Sequence, residues 1–343
     1  MDKRHRLSDE RRHTARLVSC AGANVAFAPM TPRVVIVGSF VQDLCFNCEH
    51  FPAPGETTLG RFFTGPGGKG SNQAVAAARL GAAVTFIGAV GDDAFAAGAR
   101  AFHRREGIRS ILIPKRGHAT AAATVLVDAT GQNEIVVALG ASARIQPSDI
   151  PPAALRGARI VVCQHEANPR INAHVFRLAR KQGVTTVLNP APMRGDFAPA
   201  ILRHTDILIP NETEFVQLAR ALKLSRSLDE AALAKLDLVA LQKLCRGFGV
   251  SSVIVTLGSR GCFVSLADRG ELVPAFKVKP VDTTGAGDAF VGGFVAAFAR
   301  NPTDIFAAAR QANAVAALSV TKPGTSPSMP TAKELARFLK TRA

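Results

Sequence analysis

Tryptophan and tyrosine are absent from the 343 residues, and phenylalanine, present 20 times, is the only aromatic residue. A nucleic-acid surface would therefore lack most of its usual stacking groups. Acidic residues are also scarce: 26 Asp and Glu stand against 42 Lys and Arg, a net charge of +16. That balance favours acidic small ligands such as phosphates. With no run of Lys and Arg longer than three, no specific nucleic-acid partner is expected. The longest apolar stretches, Arg33–Phe40 and Ala289–Ala299, fall well short of the roughly 20 residues of a membrane span, so no membrane partner is expected either. Charged residues make up only 20% against 47% apolar, which excludes disorder for most of the chain. The six cysteines are scattered at Cys20, Cys45, Cys48, Cys163, Cys245 and Cys262. Such usage suits a reducing, cytoplasmic setting. Cys45 and Cys48 form a lone C-x-x-C with no second pair, read as two small residues on a strand rather than a metal or redox site.

Residues 1–30 stand apart. Lys3, Arg4, Arg6, Arg11, Arg12 and Arg16 crowd a segment with little apolar content, which predicts a basic, disordered tail, or translation that begins at Met30. From Arg33 the pattern changes. Apolar runs at 33–39, 84–87, 160–163, 185–189, 207–210 and 253–256 read as buried parallel strands. Between them, 71–80, 93–106, 169–182, 212–222 and 229–247 read as helices, and the scattered phenylalanines as core residues. The alternation implies an α/β fold with a central, mainly parallel sheet covered by helices on both sides. Two segments interrupt it, about 43–66 and 118–142. The second contains paired strands at 122–127 and 134–139, and together they predict a small β-sheet lid, a device for excluding water from a reacting group.

Four strings carry chemistry. Asp282-Thr-Thr-Gly-Ala-Gly-Asp288 runs straight into an Ala/Phe-rich helix. Backbone N–H groups of Gly285, Ala286 and Gly287 at such a start form an anion site. Asp288 beside them can accept a proton from a hydroxyl; its alternative role is an N-cap. Gly65-Pro-Gly-Gly-Lys-Gly-Ser-Asn-Gln73 also opens a helix but is not a P-loop, because Gly70 separates Lys69 from Ser71. It could present backbone N–H groups, Lys69 and Asn72 to a polyol, or serve as a hinge. Pro210-Asn-Glu-Thr-Glu214 and Asn189-Pro-Ala-Pro192 each follow a strand, where open α/β sheets bind ligands. Asn211 and Glu214 suit a nucleotide phosphate or magnesium, or equally a capping box. Thr256-Leu-Gly-Ser-Arg-Gly261 could fold against a nucleotide or simply turn a hairpin.

Together these strings resemble the ribokinase branch of the carbohydrate kinase family, and the resemblance runs from about Arg33 to Phe338. It implies a three-layer α/β/α kinase body over 31–343 with a β-sheet lid, and transfer of the ATP γ-phosphoryl group to a sugar, D-ribose at O5 being the leading expectation. By that likeness Asp288 is the general base and Gly285, Ala286 and Gly287 the anion hole. Asp43, Gly68, Lys69, Gly70, Ser71, Asn72 and Glu166 would bind the sugar. Asn211, Thr256, Leu257, Gly258, Ser259, Arg260, Gly261, Gly287, Asp288 and Asn313 would line the ATP site. Asp282, Thr284, Ser319, Lys322, Gly324 and Ser328 match the positions of a monovalent cation site, usually potassium, with magnesium accompanying ATP. The exposed lid edge invites a homodimer. One departure bears on substrate. The family pattern Gly-Ser-x-Asn-x-Asp reads Gly38-Ser-Phe-Val-Gln-Asp43 here, and Val41 cannot hydrogen-bond a hydroxyl. A nucleoside kinase is therefore the alternative. A non-catalytic sugar sensor or a nucleic-acid-associated protein is opposed by the intact Asp288 string.

Overall fold

The structure is a computed structural model that describes residues 33–342; the expected basic tail, 1–30, lies outside the described residues. The chain begins with β1 (Arg33–Val37), β2 (Val41–Cys48), β3 (Gly60–Gly67), α1 (Lys69–Arg79), β4 (Ala83–Val90), α2 (Ala94–Arg105) and β5 (Arg109–Pro114). It continues through β6 (Ala122–Val127), β7 (Asn133–Ala138), β8 (Ile160–Cys163), α3 (Pro169–Lys181), β9 (Thr185–Leu188), β10 (Ile207–Leu208) and α4 (Glu212–Ala221). Next come α5 (Glu230–Ala234), α6 (Leu238–Gly247), β11 (Ser252–Thr256), β12 (Cys262–Ser265) and β13 (Gly270–Val273). The chain closes with α7 (Ala286–Arg300), α8 (Ile305–Ser319) and α9 (Ala332–Lys340).

Nine strands form one sheet in the order β13-β12-β11-β10-β9-β8-β1-β4-β5. All neighbours from β11 to β5 are parallel, while β12 and β13 return antiparallel. β1 sits between β8 and β4, with Val34 opposite Ile160 on one side and Val84 on the other. Its side chains alternate between two cores. Val34 and Ile36 join the cluster packed by α1, α7 and α8, whereas Val35 and Val37 join that of α3, α4 and α6. A strand buried on both faces has no polar positions to spare, which is why these runs read as continuously apolar.

The lid is a separate four-stranded sheet, β3-β2-β6-β7. β2 runs parallel to β6, and the two outer pairs are antiparallel. It is one layer thick, so part of its apolar surface stays uncovered. Phe46 and Phe62 pair across β2 and β3 with ring centroids 5.0 Å apart, yet both remain exposed, as does Phe63. The expectation that the phenylalanines are core residues fails at these three for that reason. The helix expected over 229–247 is two helices. Asp237 is an N-cap, its carboxylate accepting from the Ala240 N–H at 2.7 Å, and it restarts the chain after α5. Cys45 and Cys48 lie on β2, and neither forms a disulfide.

Candidate functional site

Two helices that start at glycine meet at the site. α1 is entered through Gly68, at φ 90°, and α7 through Gly285, at φ 78°. Both are left-handed conformations that glycine adopts without steric cost. No side chain caps either helix. The N-cap role for Asp288 is therefore not realised: Asp288 stands in the first turn of α7 and is buried. Its carboxylate accepts from Asn72 Nδ2 at 3.0 Å and from Gln73 Nε2 at 3.0 Å.

Those two donors belong to a buried polar chain. Ser326 Oγ donates to Asn72 Oδ1 at 2.7 Å, Gln164 Nε2 to Gln73 Oε1 at 2.7 Å, and Gln73 Nε2 also to Asn189 Oδ1 at 3.0 Å. A side chain held from both ends presents its carboxylate in one orientation, the preorganisation that proton transfer needs. Beside it the N–H groups of Gly285, Gly287 and Asp288 have no partner among the described residues. This departs from the expected Gly285, Ala286 and Gly287 set: the Ala286 N–H is taken by Thr283 O at 3.2 Å, because the turn closes on itself there, and the Asp288 N–H stands open in its place.

Electrostatics follow from burial. Burial pushes the Asp288 carboxyl above its ordinary range, opposed by the Lys69 ammonium and the amides of Asn72 and Gln73. Burial alone would lower Lys69, but the carboxylates of Asp288, Glu166 and Glu214 outweigh it and hold the ammonium charged. Glu214 is raised chiefly by burial. Burial, reinforced by Glu166 and Asp288, pushes Asp43 up to about 7.

Glu166 lies just beyond β8. Its Oε2 accepts from the Lys69 N–H at 2.7 Å and from the Ser39 hydroxyl. Asp43 reaches across from β2 over Gly67, where an added Cβ would come within 2.1 Å of its Oδ2. A cleft of about 180 Å³ opens at the carboxyl ends of the central strands, lined by Lys69, Asn211, Glu214, Thr256 and the Gly285–Asp288 turn.

Asn211 and Glu214 realise the capping-box reading and stand beside the cleft. Each side chain bonds the other's backbone N–H. Of the 256–261 string only Thr256 lines the cleft. Leu257 is buried in the core, Gly258 and Gly261 turn the β11–β12 hairpin at φ 53° and 100°, Ser259 is exposed, and Arg260 pairs with Glu212 at 2.7 Å. Asn313 donates from α8 to the carbonyls of Val273 and Pro274 at 2.9 and 3.2 Å, holding the segment after β13.

Ser71 is not brought to the cleft. Its Oγ hydrogen-bonds His103 Nε2 at 2.9 Å, in the interior. Gly70 packs against Gly38, with room for no Cβ. The 282–284 and 319–328 segments do come together. Val281 and Asp282 N–H groups donate to Val320 O, and the Asp282 carboxylate accepts from Thr284 and Gly324 N–H at 2.8 Å each. Burial would raise Asp282, but those hydrogen bonds outweigh it and keep it below the ordinary range. Ser319 and Ser328 donate to the nearby carbonyls of Ala316 and Thr325, and Lys322 is drawn to Glu334 at 2.5 Å. Gln73, Asn189, Gln164 and Ser39 were not singled out from the sequence. Gln73, Asn189 and Ser39 lay inside quoted strings without a role of their own, and all four reveal themselves only through the partners they meet.

Comparison with known proteins agrees with this geometry. The model of the "pfkB family carbohydrate kinase" matches residues 31–332. A ribokinase of Mus musculus is 35% identical over 309 residues, covering 88% of this chain and 93% of its own. A deoxyribokinase of Salmonella typhi is 33% identical over 310 residues, covering 89% and 98%. The solved structure of Arabidopsis thaliana ribokinase complexed with ribose and ATP superposes with a TM-score of 0.78 at 30% identity, covering 91% of this chain and 99% of that one. The carboxylate held at the start of α7, the free N–H groups beside it and a match over nearly the whole described chain lead to one conclusion: this chain belongs to the pfkB family of carbohydrate kinases.

Proposed function

We propose that this protein is an ATP-dependent ribokinase that phosphorylates D-ribose at O5. The observation that carries the reading is the placement of Asp288. It is buried in the first turn of α7, fixed by Asn72 and Gln73, and lies beside three backbone N–H groups that have no partner among the described residues. In this reading Asp288 takes the proton of the primary hydroxyl. The freed oxygen attacks the γ-phosphorus, the bond to the bridging oxygen of ADP breaks, and the Gly285–Gly287 turn holds the oxygens of the transferring group. Glu166, Lys69, Asn72 and Asp43 orient the sugar. Glu166 also ties the Gly67–Lys69 turn to the end of β8. Asn211, Thr256 and the α7 turn border the nucleotide, and Asn313 keeps the adenine-side segment in place.

The donor sets fit the expected ions. Glu214 brings a hard carboxylate, the ligand type of magnesium, to the cleft edge. Its two oxygens each accept one hydrogen bond from Asn211 and keep a further lone pair. Asp282, tied to the 319–328 segment through Gly324, would bring oxygen donors of the kind potassium takes. When bound, magnesium would neutralise charge on the phosphate oxygens. The lid, residues 43–66 and 118–142, is inserted into a kinase body over 31–343 and completes the site. Its outer strand β7 exposes Ile135, Val136 and Val137, an edge suited to pairing with a second copy. Light scattering should give a dimer mass, and Val136→Lys should return it to a monomer. The described cysteines are all free, as suits the cytoplasm.

The deciding assay is ADP release with ATP, magnesium and potassium against D-ribose, fructose 6-phosphate, inosine, adenosine and cytidine. Ribose should be turned over and its product identified as the 5-phosphate. Turnover of a nucleoside in preference to either sugar would overturn the reading.

A further inference from the structure

We propose that a second, arginine-lined pocket binds the phosphate monoester of a small metabolite, separately from the catalytic cleft.

This cavity, of about 540 Å³, is walled by segments that follow β8 and β9. Its size is that of a small-molecule site, and the carboxyl ends of parallel strands are where open α/β sheets take ligands. No residue lines both it and the cleft around Asp288. Arg144 and Gln146 come from the turn after β7, Asn168 and Arg170 from the start of α3, and Arg194 and Asp196 from the loop after β9.

The three walls are tied together. Asn168 Nδ2 donates to Ile145 O at 2.9 Å, and Asn168 N to Ser142 O at 3.3 Å. His165 N donates to Ala191 O at 2.9 Å, and the His165 ring packs on Phe197 with centroids 5.4 Å apart. The cradle is thus held in place before a ligand arrives, which lowers the ordering cost of binding.

Its charge is unbalanced. Asp196 accepts from Arg194 Nε at 2.9 Å and Nη2 at 3.0 Å, so that pair closes on itself. Arg144 and Arg170 form no ion pair among the described residues, and both are exposed. Three arginines against one carboxylate leave the lining doubly positive. A phosphate monoester carries close to two negative charges and three acceptor oxygens, enough to engage two guanidinium forks at once. A carboxylate has one charge and serves one fork. The start of α3 is already capped, with Asn168 Oδ1 accepting from Arg170 N at 3.1 Å. The attraction therefore rests on the guanidinium groups and not on the helix end. Ala143, Pro169 and Ala198 complete the lining and give the organic part of the ester an apolar surface.

The test is calorimetric titration of the full chain with ribose 5-phosphate, AMP and inorganic phosphate. Arg144→Ala and Arg170→Ala lie outside the catalytic cleft, so a loss in either variant belongs to the pocket. Each should weaken the binding of at least one ester by roughly tenfold, the size of a lost charge-assisted hydrogen bond. Arg104→Ala removes an exposed arginine of α2 that lines neither cavity and should change nothing. Tighter binding of ribose 5-phosphate identifies a sugar phosphate as the ligand, and tighter binding of AMP a nucleotide. Affinity that neither pocket variant moves would put the ester in the catalytic cleft and overturn the inference. Equal weakening by all three variants would reduce it to general attraction to a basic chain, and inorganic phosphate binding as tightly as both esters would reduce it to a free anion. Either result overturns it, as does failure of both esters to bind.

Discussion

The starts of α1 and α7 look alike and end up doing opposite things. Each follows a left-handed glycine, each lacks a side-chain cap, and each opens a helix of small residues. At α1 two of the first N–H groups are taken by other segments: Lys69 N donates to Glu166, and Ser71 N to Ser39 O at 3.0 Å. At α7 the N–H groups of Gly285, Gly287 and Asp288 are free among the described residues. A helix start of this kind binds anions by its geometry. Whether the anion is the protein's own carboxylate or an outside phosphate depends on what other segments bring to it. The first start is partly filled by the protein's own groups, and the second is left more open to an outside anion.

The sharpest way to break this contrast is to remove the group that gives the open start its purpose. Asp288→Asn should lower kcat by about 10²–10⁴, the usual worth of a positioned base, while thermal unfolding shows the fold retained. A small loss of kcat would mean the carboxylate is not the base.

A paired substitution comes next. Gly68→Ala would drive a Cβ to 2.7 Å from Val41 N and 2.9 Å from Ser39 O, both backbone atoms. It should cost about 2–3 kcal/mol, read as a clear drop in melting temperature. At Gly285 the nearest atom is Thr325 Cα at 3.3 Å. Gly285→Ala should cost only about 1–2 kcal/mol of stability but lower kcat roughly tenfold by tilting the anion site. Equal effects on stability and turnover at both positions would erase the distinction between the two starts.

Glu166→Gln keeps an acceptor for Lys69 N and removes the charge. The KM for sugar should rise by about tenfold with little change in kcat, as expected for a charge-assisted contact formed before the transition state. A fall in kcat alone would place Glu166 in the chemical step instead.

The smallest effect is a matter of pH. Asp43 titrates at about 7, so its acceptor form is lost as pH falls through that value. The kcat/KM for sugar should decline with it, and Asp43→Asn should remove that limb of the profile. Its contribution to stability has the opposite sign. A carboxyl whose pKa is raised by folding stabilises most below its ordinary value, and that contribution is lost as pH rises through about 7. A profile unchanged by Asp43→Asn would assign the titration to another group.

The apolar runs of β1, β4, β8, β9, β10 and β11 and the glycine-led strings at α1 and α7 were legible in the sequence, because strand burial and helix entry are encoded within a few neighbouring residues. Even there, local signals stopped short. Asp237 restarts a helix inside an apparently continuous pattern, and Phe46 and Phe62 look like core until the lid proves one layer thick. For Asn211 and Glu214 the sequence left a capping box and a nucleotide or magnesium role about even; the fold forms the capping box and sets both side chains beside the cleft. What only the tertiary structure decided is which residues meet. Asn72 and Gln73 reach Asp288 across 216 and 215 positions of sequence, and Glu166 reaches Lys69 across 97. Val41 meets Ala121 and Ala123 only because β2 pairs with β6. Backbone conformation depends on nearest neighbours, but a polar network depends on the crossover order of the sheet, which no local pattern carries.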